Sequence, residues 1–224
     1  MRSGLGAVAV TTWCALYSLP ALAGGLAVVD GEGRSIAADA VLVKGKSLTL
    51  AAVAPPSDAG ASAPTVAWKS EPEGVVAVAD LGGGRASVTA LRDWFDEHPG
   101  REPVARITAC AGPSCATVAI TCLPDVAGTW PTKLEVGGLF GGSEVRDLVF
   151  VQRGRYVTFD PEPANKPDPD RIATLRLDGN ALRTVKKGNV LTRFDGALSD
   201  RETGRGNWSS SWGFSGVWTA NKKN

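Results

Sequence analysis

Residues 206–220 read GNWSSSWGFSGVWTA and bring Trp208, Trp212, Phe214 and Trp218 close together near the end of the chain. All of these positions are even-numbered, so along a strand of period two they share one face with Ser210 and Gly216. The opposite face carries Asn207, Ser209, Ser211, Gly213, Ser215, Val217 and Thr219, which are small and largely polar. A turn at Ser210 to Gly213 would interrupt that parity, leaving Trp208 on one strand and Phe214 with Trp218 on the next. The expectation is the last one or two strands of a small β barrel with the aromatics turned inward, either filling the interior or leaving a pocket.

The residues upstream extend this pattern. Gly128-Thr129-Trp130 opens a run punctuated at Gly137-Gly138, Gly141-Gly142, Arg153-Gly154, Asp178-Gly179-Asn180, Lys187-Gly188-Asn189 and Gly204-Arg205-Gly206, all of which read as turns. Between them the pattern predicts strands over 129–136, 145–152, 156–160, 172–177, 181–185, 190–199, 207–212 and 214–220. Strands connected in this order suggest an antiparallel meander that closes into a barrel or forms a sandwich. The Gly-x-Trp of the first strand and the Trp-bearing last strand are similar to the calycin barrels, the lipocalins and avidins. The likeness rests on a tripeptide and transfers no ligand residue. An eight-stranded barrel is filled by side chains or holds one small ligand, so Trp130, Trp208, Trp212 and Trp218 are candidate contacts to an apolar ligand.

Strand signals also dominate the first half, with Val/Thr/Ile-rich runs near 26–29, 40–43, 47–53, 65–70, 75–79, 86–90, 104–110 and 115–121. Convincing helical periodicity is absent, and the fold class is all-β. APPSDAGASAP, residues 54–64, is a loop by composition, because its prolines cannot join a central ladder. RITACAGPSCATVAIT, residues 106–121, reads as a hairpin that sets Cys110 opposite Cys115, a cross-strand disulfide in an oxidising compartment. Cys122 is then left over, as a small buried hydrophobe or as an exposed thiol open to intermolecular pairing. Leu123-Pro124-Asp125 marks the boundary between a module over 24–123 and another over 124–224.

The segments VLVKGKSLTLAAVAP, VAWKSEPEGVVAVAD and GGGRASVTAL resemble the group 2 bacterial immunoglobulin-like domain over roughly residues 26–122. The resemblance implies an immunoglobulin-like β-sandwich in a secreted, often cell-surface setting, and it transfers no catalytic residue. Trp68 would fill the space between the sheets, with Leu48, Leu50, Val76, Val78 and Val88 around it. The chain departs from the family after Leu91, where RDWFDEHPGREP, residues 92–103, replaces a short turn. Trp94 and Phe95 could fold back to cap the sandwich, with the charges in water. Alternatively Trp94, Phe95 and His98 could meet a partner from a surface loop. Asp93, Asp96, Glu97 and His98 could also ligate a metal, though without a recognised ligand spacing.

The N-terminus, MRSGLGAVAVTTWCALYSLPALAGG, has a positive charge, an apolar run and a small-residue site at Ala21-Leu22-Ala23. It reads as a secretory signal peptide over 1–23, with Cys14 lost on cleavage. The apolar run is shorter than the roughly 20 residues a spanning helix needs. The expected protein is soluble and secreted, periplasmic or on the cell surface, with no transmembrane segment after cleavage. Charge is balanced: residues 24–123 hold 8 Lys/Arg against 11 Asp/Glu, and residues 124–224 hold 15 against 12. No basic stripe suited to nucleic acid follows from that distribution.

Signals for catalysis are sparse. His98 is the only imidazole and falls in the other module from Ser209, Ser210 and Ser211, which have no base near them in sequence. Asp195, Asp200 and Glu202 could in principle pair for glycoside hydrolysis, but Arg193, Arg201 and Arg205 are interleaved with them, as on mixed-charge hairpins. DPEPANKPDPD, with Asp160, Glu162, Asp168 and Asp170, lacks the ordered spacing of a calcium loop. The reading is a non-enzymatic envelope or extracellular binding or adhesion protein, without a cofactor or metal, whose first module spaces and whose second recognises a protein or glycan of the cell envelope. The alternative is a carrier of a small apolar ligand in the C-terminal barrel, and a carboxylate-dependent hydrolase ranks third.

Overall fold

The computed structural model describes residues 25–54, 65–97, 101–137, 141–161 and 169–223. The signal peptide expected over 1–23, with Cys14, and His98 lie outside the described residues, as do Glu162 and Asp168. Every regular element among the described residues is a strand.

The first unit runs through β1 (Ala27–Asp30), β2 (Val41–Val43), β3 (Ser47–Val53), β4 (Ala67–Glu71), β5 (Val76–Gly82), β6 (Arg85–Ala90), β7 (Val104–Ala111) and β8 (Ser114–Leu123). One sheet has the order β1-β3-β6-β5 and faces a second of order β2-β8-β7-β4, in which β2 runs parallel to β8. This is an immunoglobulin-like sandwich. Period-two alternation sets its core: in β6, Ala86, Val88 and Ala90 are buried while Arg85, Ser87 and Thr89 face outward. Leu50, Val76 and Val88 form part of that core, and Leu48, Val78 and a half-buried Trp68 pack against it, as expected. Cys110 and Cys115 stand opposite one another and are joined by a disulfide. Cys122 is the buried free cysteine, and burial, reinforced by the charge of Asp93, pushes its thiol up to about 11.

The second unit comprises β9 (Gly128–Val136), β10 (Ser143–Arg153), β11 (Tyr156–Phe159), β12 (Ala173–Asp178), β13 (Ala181–Lys186), β14 (Leu191–Leu198), β15 (Thr203–Ser210) and β16 (Ser215–Asn221). Each strand pairs with the next, and β16 pairs with β9 from Gly216↔Val136 to Ala220↔Thr132, which closes the barrel. Interior aromatics form a chain of ring contacts from Trp130 through Phe150, Phe159 and Phe194 to Trp218, with centroid separations of 4.5 to 5.6 Å. Trp208 and Trp218 point inward, as the alternation requires, each opposite a glycine in the register Trp208↔Gly216 and Gly206↔Trp218. A Cβ on Gly206 would lie 2.0 Å from the Asp195 carbonyl oxygen and 2.6 Å from the Trp218 indole nitrogen. Trp218 fits only because that side chain is missing, and its Nε1 donates to the same Asp195 carbonyl at 3.1 Å.

The sandwich abuts one end of the barrel, where the turns after β10, β12 and β14 lie. The segment between the units is not an exposed linker: Leu123, Pro124 and Val126 are buried, and the Gln152 side chain donates to the Pro124 carbonyl and accepts from the Val126 amide. The inserted segment forms the rest of the junction. Trp94 lies against Gly179, where a Cβ would come within 2.6 Å of the indole, and Phe95 packs against the barrel core with Arg201 over its ring. These aromatics cap the barrel rather than the sandwich, which corrects the expectation for this loop. Nor do all of its acids face water: Asp93 is fully buried, accepts the Phe95 amide, and receives Nε and Nη2 of Arg201 at 2.8 and 2.9 Å. A second bidentate pair, Arg155 with Glu102, closes the other side, and Glu102 also accepts the Gly179 amide.

Two outcomes follow for stability. Gly206→Ala forces a methyl group into the β14–β15 ladder and the Trp218 ring, and should lower the urea-unfolding free energy by at least about 2 kcal/mol. Burial alone would raise the Asp96 carboxyl, but hydrogen bonds from Lys44, Arg201 and the Asp93 amide outweigh it and hold it at about 2. Its contribution, about 1 kcal/mol once solvent screening of this exposed residue is allowed for, is therefore complete above the ordinary carboxyl range and is lost as pH falls through the folded value. Thermal unfolding followed from pH 5 to pH 2 should show this loss in the native chain and a smaller one in Asp96→Asn.

Candidate functional site: a cup in the barrel mouth

The aromatic chain fills the half of the barrel next to the sandwich, and the other half is open. There a cavity of about 290 Å³ is floored by Phe159 and Phe194 and walled by Leu134, Leu148, Leu191 and Trp208. Its rim includes Val136, Val190 and the turn between β15 and β16, where Trp212 and Phe214 project. The residues that line it come from alternating positions of adjacent strands, so the same period that builds the floor also builds the wall.

One polar feature interrupts this surface. Glu144 and Arg146 have the same parity on β10 as Leu148 and Phe150, so they turn toward the barrel interior at the level of the mouth. Arg146 donates from Nε and Nη2 to the two Glu144 oxygens at 2.7 and 2.8 Å, and from Nη1 to the Pro161 carbonyl at 3.1 Å. The hydrogen bond from Arg146 holds the Glu144 carboxyl below its usual range. At neutral pH the pair is a charged, mutually compensated element beside an apolar cup.

The wall is least regular between β13 and β14, which pair only at Ala181↔Ala197 and Leu182↔Gly196. Beyond these residues side chains replace the ladder: the Thr184 amide donates to Asp195 Oδ1 and the Phe194 amide donates to Thr184 Oγ1, both at 2.7 Å. Burial would raise the Asp195 carboxyl, yet the Thr184 amide and Arg193 hold it below the ordinary range. Asp195 is thus a structural splice in the barrel wall.

The candidate residues separate into distinct places. Trp208 and Trp212 line the cup, but Trp130 and Trp218 are buried beneath it in the floor. Trp212 is 68% exposed and Phe214 53% exposed, so these two do not turn inward as the uninterrupted parity predicted. Both lie in the four-residue turn between β15 and β16 and so belong to the alternation of neither strand. Trp94 and Phe95 are occupied in the junction, far from the cup along the barrel axis. Asp200 accepts the Glu202 and Thr203 amides and the Thr203 hydroxyl, which lower its pKa, while Asp195 is tied to Arg193. Neither carboxyl is held protonated, as a general acid must be. Among the described residues no group of three His, Cys, Asp or Glu side chains could hold a metal ion. Glu144, Arg146, Leu134 and Leu191 were missed by sequence reasoning, although the parity shared by Glu144, Arg146, Leu148 and Phe150 was the available signal.

No family model and no curated protein matches the chain. Among solved structures, the crystal structure of titin domains Z1Z2 in complex with telethonin is similar at 13% identity and a TM-score of 0.28, covering 81% of this chain and 89% of that one. A chimeric titin Z1Z2 functionalised with an exogenous KLER peptide from decorin is similar at 13% identity and a TM-score of 0.30, covering 88% of this chain and 96% of that one.

The splice in the wall makes a specific expectation. Asp195→Ala leaves the Thr184 amide without its acceptor and should cost about 1–2 kcal/mol. Amide hydrogen exchange should accelerate at Thr184 and Phe194 more than in the β14–β15 ladder, and uniform protection would contradict this assignment.

Proposed function

We propose that the chain is an exported, non-enzymatic binding protein whose C-terminal barrel holds one small, mainly apolar ligand in the cup. The first unit, on this reading a group 2 bacterial immunoglobulin-like domain, closes the opposite end and spaces the barrel from its surroundings. The observation that carries the proposal is the apolar cavity of about 290 Å³ above a packed aromatic floor. Its size is near the lower end of the range of about 300–1,000 Å³ typical of small-molecule sites. Apolar walls provide affinity through water displaced from both surfaces, and the few polar groups at the mouth orient the bound molecule.

This reading ranks above adhesion to an envelope protein or glycan. Adhesion through the first unit would use Trp94 and Phe95, and both are packed against the barrel. A hydrolytic reading has less support still, because of the carboxylates named for it Asp200 serves a turn and Asp195 an ion pair.

Titration with N-phenyl-1-naphthylamine, a neutral apolar fluorophore, should show saturable binding at one site. Val136→Trp, which places an indole in the mouth, should weaken it at least tenfold, while Trp130→Phe in the floor should leave the dissociation constant unchanged. Binding that fails to saturate, or that ignores Val136→Trp in a folded protein, would remove the basis of the proposal.

A further inference from the structure

The open end of the barrel differs in chemistry from the rest of the surface. Trp212 and Phe214 project from the turn between β15 and β16, the most exposed tryptophan and phenylalanine among the described exposed hydrophobics. The neighbouring β13–β14 connection is tied to this turn, since the Ser211 amide donates to the Val190 carbonyl at 2.9 Å. Lys187 lies in that connection and Lys186 is the last residue of β13 beside it, both exposed, and Val185 before them is 53% exposed. Neither lysine forms an ion pair with another described residue. Of the described acids at this end, Glu144 is compensated by Arg146, Glu135 pairs with Lys133 at 2.6 Å, and Asp160 and Asp170 each interact with another group.

We propose that these two adjacent turns dock the barrel mouth on an anionic lipid bilayer, with Trp212 and Phe214 entering the headgroup region and Lys186 and Lys187 contacting the anionic headgroups. Exposed aromatics with a polar edge favour the membrane–water boundary, where one side of the ring meets hydrocarbon and the other water. Lysines beside them add a charge attraction that falls off within a Debye length, and their long stems let the ammonium groups reach headgroups while the aromatics sit deeper. Aromatic and basic groups together on one rim match such a surface better than they match a protein groove, which would cover the apolar groups but leave the lysines needing acidic partners. The opposite end of the barrel is occupied by the sandwich, so docking in this orientation leaves the junction undisturbed. It also points the cup at the bilayer. The docking itself does not require the cup to bind a ligand, so the two proposals can fail separately.

Sedimentation of the protein without its leader with vesicles tests it. Vesicles of phosphatidylcholine with 30% phosphatidylglycerol should carry the protein down, and pure phosphatidylcholine vesicles should retain much less. Lys186→Gln and Lys187→Gln should each weaken binding to the anionic vesicles roughly fivefold, and raising the salt from 0.05 M to 0.5 M should have a similar direction of effect. Trp212→Ala with Phe214→Ala should abolish sedimentation while leaving the urea midpoint at the native value. Brominated acyl chains should quench tryptophan emission in the native protein, and Trp212→Phe should still bind but lose that quenching. Failure to sediment with anionic vesicles, equal binding to neutral ones, or unchanged binding in the Trp212/Phe214 double variant would each overturn the proposal. Association of the same rim with a protein or glycan in the absence of vesicle binding would overturn it as well.

Discussion

The arrangement of the barrel depends on Trp218 lying across strands that lack side chains. An eight-stranded barrel has an interior only wide enough to be filled by side chains or to hold one small ligand, and an indole needs more than one position's share of it. Gly196, Gly204 and Gly206 provide that share: a Cβ at any of them would fall within 3.1 Å of the Trp218 ring. The indole is then fixed by its hydrogen bond to the Asp195 carbonyl and by stacking on Phe194 at 4.5 Å. Phe159, Phe150 and Trp130 continue the packing to the far wall. Bulk concentrated in this half leaves the other half walled by aliphatic side chains, Trp208 and an ion pair that reaches toward water, and the cup is the space that remains.

The position of the sandwich is set by a second constraint, the burial of Asp93. A carboxylate taken wholly out of water is costly unless it is paired and hydrogen-bonded. Here its partners come from both units: Arg201 from the barrel, the Phe95 amide from its own loop and, at 3.9 Å, Lys44 from the sandwich. These contacts tie the barrel to the sandwich. The aromatics of the same loop then cover the lower end of the barrel, and the buried Leu123-to-Val126 connection prevents the units from behaving as beads on a string. Access to the barrel interior is consequently confined to the end where Trp212 and Phe214 project.

Much of the fold was legible because period-two alternation and glycine turns are local signals. The hairpin carrying Cys110 and Cys115, the core role of Trp68 and the number and order of the barrel strands all follow from neighbours in the chain. The site was less legible. Trp208 and Trp218 were placed correctly on an inner face, but Trp212 was kept with them although a turn at Ser210 to Gly213 was already legible, because parity holds only within a strand and the sequence does not say whether the turn forms. Glu144 and Arg146 were overlooked since a charged pair at alternating positions ordinarily faces solvent, and nothing local shows that β10 turns that face inward near a barrel mouth. The glycine opposite each tryptophan, Gly216 to Trp208 and Gly206 to Trp218, becomes meaningful only when the register is known.

The amino-acid sequence by itself determined the all-β class, the immunoglobulin-like character of the first half, the meander of the second and the disulfide between Cys110 and Cys115. Those properties arise from alternation, turn chemistry and residues close in the chain. Tertiary structure alone decided that the Trp94–Phe95 loop serves the junction, that Trp130 and Trp218 are buried beneath the cup while Trp208 lines its wall and Trp212 its rim, and that the open end of the barrel faces away from the sandwich. Such outcomes depend on which distant side chains share one volume, and that is settled by closing the barrel and burying Asp93 rather than by any stretch of sequence alone.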